Sequence, residues 1–99
     1  MPALRVELHP AAVAEVRAAR TWYTERDEGA AAAFMTEIDR AVTLISANPG
    51  RWPAHRFGTR RILLRRFPFA VIFRHDPETV IVFAIAHSRR RPGYWQDRL

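Results

Sequence analysis

Two stretches of helical periodicity, separated by three residues, limit what this chain can fold into more than any other feature of its sequence. Over residues 11–26, Val13, Val16 and Tyr23 recur with Ala12 and Ala19 at helical spacing, and Trp22 adds a second large aromatic. Over residues 30–47, Phe34, Ile38, Ala41, Val42 and Ile45 form another apolar stripe. Asp27-Glu28-Gly29 between them has N-capping character, and Asn48-Pro49-Gly50 is a strong stop signal. So short a break turns the second helix back along the first, which predicts an antiparallel helical hairpin. Pro10 stands where a first helical turn tolerates proline.

Strand-like segments flank the hairpin. Residues 4–9 alternate, with Leu4, Val6 and Leu8 on one side and Arg5, Glu7 and His9 on the other. Residues 51–59 read as a loop, and residues 60–67, 69–74 and 79–86 read as strands. Pro68 demands a tight turn or an edge, and His75-Asp76-Pro77-Glu78 is a turn. The apolar run from Val80 to Ala86 suits a central strand. The predicted fold class is α+β: an N-terminal strand, then an antiparallel helical hairpin packed on one face of a mainly antiparallel four-stranded sheet. The first strand is expected to return and pair with a strand from the second half. With 99 residues, the expectation is one domain over 1–99 with a small core, which a partner covering one face would stabilise.

Composition closes several routes. Cysteine is absent, which excludes disulfides, thiolate metal sites and a cysteine nucleophile. A reducing cytoplasm fits that composition, no secretory leader is expected, and no apolar run approaches the roughly 20 residues of a membrane span. His9, His55, His75 and His87 lie far apart, so no metal and no cofactor is expected, and no glycine-rich phosphate loop occurs.

Charge is more informative. Sixteen cations against ten acids give +6, and every cation is arginine. Residues 1–50 hold five Arg and seven acids, a net −2; residues 51–99 hold eleven Arg and three acids, a net +8. The plain explanation of arginine without lysine is codon bias, but bias does not explain the clustering. An arginine field on the outer sheet face favours a polyanion or an acidic protein segment, because guanidinium grips phosphate and carboxylate bidentately.

One constellation carries possible chemistry. Cleaving RNA at a 2′-hydroxyl needs a base, cations around the phosphate and an acid for the leaving oxygen. His87 could be acid or base, Arg61 and Arg74 could hold phosphate with Arg90, and Tyr94 could stack on a base or donate a proton. Arg60, Arg65, Arg66, Arg89, Arg90, Arg91 and Trp95 are expected contacts to a target or nucleic acid. Each has an ordinary alternative: a hydrogen-bonded surface histidine, solvated or paired arginines, and aromatics that pin the tail to the core.

The chain resembles the RelE/ParE superfamily of bacterial type II toxins, in its ParE-like, plasmid-stabilisation branch. The resemblance rests on Pro10-Ala11 with Glu15, Trp22-Tyr23, Phe34, Ile45 with Asn48-Pro49, and Trp52-Pro53. It continues through Arg60-Arg61, the stretch from Arg66 to Phe73, Ala84 to Arg90, and Pro92-Gly93-Tyr94-Trp95 with Arg98. It implies a cytoplasmic toxin held inactive, in an oligomer, by a cognate antitoxin encoded beside it, whose C-terminal segment folds on the toxin. Within the superfamily, ParE-like members resemble DNA gyrase poisons, and RelE-like members resemble ribosome-dependent, metal-independent mRNA endonucleases. In the cutting branch, Arg61 matches a strand arginine, His87 a histidine ending the last strand, and Tyr94 loosely a terminal tyrosine. The lack of lysine departs from typical cutters. The branch likeness favours gyrase; the mRNA endonuclease is the alternative, and a non-toxic nucleic-acid-binding module is a third reading.

Overall fold

A computed structural model describes residues 3–99. Strand β1 spans Arg5–Leu8, followed by helices α1, Pro10–Thr24, and α2, Glu28–Ala47. Strands β2, Arg60–Leu63, β3, Phe69–His75, and β4, Thr79–His87, complete a four-stranded sheet of order β1-β4-β3-β2. The two hairpin pairings are antiparallel, and β1 returns to lie parallel to β4 from Arg5↔Thr79 to Leu8↔Val82. The expected α+β architecture is therefore the one observed. Among the described residues, no helix is long and apolar enough to cross a membrane.

Local chemistry sets the helix ends. The His9 Nδ1 accepts the Ala11 N–H at 3.0 Å and caps α1. Asp27 caps α2 by accepting from Gly29 and Ala30. One stripe of each helix, including Ala12, Val16, Phe34, Ile38 and Ile45, packs on Val71, Phe73, Val80, Val82 and Ile85. Rings of Tyr23, Phe34, Phe67 and Phe69 interlock at one end of this core, with centroids 5.1–5.5 Å apart.

Two expectations are corrected. β2 stops at Leu63 rather than Phe67, because the chain bends toward α2, where Glu37 accepts the Arg65 and Arg66 N–H groups. Phe67 then joins the aromatic cluster instead of continuing the strand. The outer sheet face is not simply an arginine surface either. The C-terminal segment crosses it and lays Trp95 on Ala70, Ile72 and Ala84.

Candidate functional site

The sheet register decides where the candidate residues go. In β2, Arg61 and Leu63 pair with Ile72 and Ala70 and so point to the outer face. Arg60 pairs with Phe73, points to the helix side, and donates to the Trp52 carbonyl at 2.6 Å. Arg65 and Arg66 lie at the α2 end, and the Arg66 side chain pairs with Glu37 at 3.4 Å. Arg74 is on the outer face but is held by Asp76 at 3.0 Å. The arginines of the second half thus fail to crowd one side, and several are neutralised by carboxylates of their own chain. Arg89, Arg90 and Arg91 are consecutive and all exposed, and like the exposed Arg61 and Arg65 none of them is in an ion pair among the described residues.

His87 sits on the helix side, its ring edge-on to Phe69 at 5.0 Å. Its Nδ1 accepts the Arg89 N–H at 3.0 Å, which leaves the ring proton on Nε2. Arg61 and Arg74 therefore lie across the sheet from His87. On the outer face Arg61 instead neighbours His55, whose pKa is lowered by burial first and then by Arg61 and Arg56. The Tyr94 hydroxyl donates to Glu15. Burial, then that hydrogen bond, then the Glu15 charge push the phenol far above its ordinary range, against the opposite pull of Arg98 and Arg90. Trp95, expected on a binding surface, is only 2% exposed and serves as a core residue.

Several of these residues meet at one groove. A groove of about 800 Å³ runs between α1, the start of β3 and the segment after β4. Ala18, Ala19, Phe69 and Ile85 make an apolar floor, and His87, Ser88, Arg89 and Arg90 line one end. Trp22, 52% exposed, stands at the rim with the Arg26 guanidinium 3.7 Å from its ring centre. An apolar channel with a cationic end suits a segment that alternates apolar and acidic side chains.

The sequence model described as the ParE toxin of the type II toxin–antitoxin system parDE matches residues 6–92. The chain belongs to the ParE toxin family. It is thus a toxin of the type II class. A solved structure titled as the chromosomal ParDE TA system from P. aeruginosa has a similar fold, with a TM-score of 0.74 at 19% identity. That alignment covers 85% of this chain and 95% of the other. No curated protein sequence matches significantly. The span matched to the ParE family includes α1, the groove floor and Arg89–Arg91, and ends before Tyr94.

Glu15 is the residue whose role sequence reasoning missed. It lies three residues after Ala12 and four before Ala19, on the buried stripe of α1. A carboxylate on an apolar stripe needs a partner, so this position signalled an internal contact. The identity of that contact depended on the return of the C-terminal segment.

Proposed function

We propose that this toxin inhibits bacterial growth by binding a macromolecular target, DNA gyrase, through the exposed turn of Arg89–Arg91, without cutting RNA. The ParE-like resemblance names gyrase. The observation that carries the non-nucleolytic reading is the loss of Arg61 and Arg74 from the acid–base set: both lie on the outer face, His87 lies on the helix side, and the Tyr94 hydroxyl is engaged by Glu15. A phosphate cannot be reached from both sheet faces at once, so beside His87 only Arg89 and Arg90 remain of the expected cations, and neither Arg61 nor Arg74 can offset transition-state charge there.

A cognate antitoxin neutralises the toxin, on this reading, by laying an acidic, apolar-studded segment in the groove against Trp22 and the His87–Arg90 end. The module then works in the cytoplasm as a toxin–antitoxin oligomer, without a metal or other cofactor.

Purified toxin, gyrase and supercoiled plasmid provide the test. The expected result is blocked supercoiling or trapped DNA breaks, with mRNA on translating ribosomes intact. Codon-linked mRNA cuts that disappear in His87→Ala would overturn it in favour of the endonuclease. Unimpeded growth on induction without antitoxin would leave only a basic binding module.

A further inference from the structure

β4 outruns its neighbour. β1 ends where Leu8 pairs with Val82 and the His9 N–H reaches the Val82 carbonyl at 2.8 Å; the chain then turns into α1. On that side, two backbone groups of β4 find side chains rather than a strand. The Ile85 N–H donates to Glu15 Oε1 at 3.0 Å, and the Phe83 carbonyl accepts from Arg98 Nη1 at 2.9 Å. Arg98 also grips both Glu15 oxygens, at 2.8 and 3.1 Å. The second of these oxygens receives the Tyr94 hydroxyl. One carboxylate from α1 thereby joins β4 to two points of the C-terminal segment.

The contacts lead onward to the exposed cations. The Arg90 guanidinium lies 3.9 Å from the centre of the Tyr94 ring, whose other end Glu15 holds. Gly93 makes the return between them possible: its φ is +76°, and a Cβ there would meet the Phe57 ring at 3.3 Å. Glu15 orients Tyr94, and Tyr94 supplies the platform on which Arg90 rests.

We infer that Glu15 is a positioning residue for the toxin's contact surface: its carboxylate latches the C-terminal segment to β4 and so sets Arg90 at the groove end. The inference rests on the reading above that Arg89–Arg91 meets the target. The network is half-buried, and Arg98 and Glu15 are less than one-fifth exposed in their side chains, so solvent competes weakly with the latch. Glu15 touches no target in this scheme; it acts through Tyr94.

The test uses full-length Glu15→Gln and Tyr94→Phe. Gln keeps the shape and the acceptor for the Ile85 N–H but loses the charge that holds Arg98; Phe keeps the ring and loses only the bond to Glu15. Wild type should show Arg90 δ-protons shifted upfield by the Tyr94 ring. Both variants should lose that shift while retaining helical circular dichroism. Amide exchange at residues 93–99 should quicken by about tenfold or more, the size expected when a hydrogen bond to a charged group is lost. Growth inhibition should fall in parallel. A general loss of stability would lower the melting temperature without moving the native Arg90 shift, so the shift separates positioning from folding. The inference is overturned if folded Glu15→Gln and Tyr94→Phe keep the Arg90 shift and the protection of residues 93–99. It is equally overturned if the shift is lost while inhibition stays at the wild-type level and Arg90→Ala abolishes it. If Arg90→Ala leaves inhibition intact, the contact-surface reading fails instead, and the latch stands or falls on the shift and the exchange alone.

Discussion

Tyr94 shows how one side chain ties stability to pH. The folded chain holds its phenol neutral far above the ordinary value of 10.0, whereas an unfolded chain releases the proton near that value. The stabilisation is thus complete below about pH 10 and is lost as pH rises beyond it, because the unfolded state then ionises and the folded state cannot follow. Burial raises the Tyr23 phenol too, in the same direction. Thermal melts of wild type from pH 9 to 12 (approximate phenol range) should show a falling melting temperature. Tyr94→Phe should flatten part of that fall and leave the Tyr23 part. A wild-type melting temperature that stays level across this range would contradict the assignment. The His87 Nδ1 holds the Arg89 turn, so His87→Ala is expected to loosen the turn rather than remove a catalyst.

Among the elements, α2 depends most visibly on a single cap. Asp27 Oδ1 accepts the Gly29 N–H at 2.8 Å and the Ala30 N–H at 3.4 Å, and Glu28 places a negative charge in the first turn. Asp27→Ala should lower unfolding free energy by about 1 kcal/mol in denaturant titrations, the ordinary cost of losing such a cap. No change in the midpoint would mean that packing of Phe34, Ile38 and Ile45 holds α2 unaided. Glu37 and Glu15 use the same device at longer range: each is an acidic residue on a helix that satisfies backbone N–H groups of a distant segment. The first anchors the β2–β3 turn to α2, the second anchors β4 to α1, and the sheet thereby keeps its orientation under the hairpin.

At the scale of the whole molecule, the count of sixteen guanidinium groups overstates how many are free to meet a partner, although the net charge stays +6. Arg66, Arg74 and Arg98 are matched locally by Glu37, Asp76 and Glu15, whereas Arg89–Arg91 stands unpaired at one end of the groove. Replacing Arg89, Arg90 and Arg91 together by Ala should slow association with an acidic antitoxin segment by about tenfold at low salt and flatten its salt dependence. The melting temperature of the free toxin should stay near the wild-type value, since none of the three is buried. An association rate unchanged by both substitution and salt would place the docking surface elsewhere.

Much of the scaffold was legible in the residues themselves, because period-3.6 and period-2 patterns report a buried face whichever neighbour covers it. The Asp27-Glu28-Gly29 break, the Asn48-Pro49-Gly50 stop and the apolar run of β4 determined helices, turn and central strand to within a few residues. The family likeness carried by the stretches from Pro10-Ala11 to His87–Arg90 was equally readable. Tertiary structure alone decided which face each arginine takes. Side-chain direction in a strand reverses with each residue, so only the pairing Arg61↔Ile72 could part Arg61 from His87. It also decided that Trp95 is core, that the Tyr94 hydroxyl donates its hydrogen bond to Glu15, and that Glu15 faces a strand seventy residues away in sequence. Such contacts are made by chain return, and no local pattern records which distant group a buried carboxylate will meet.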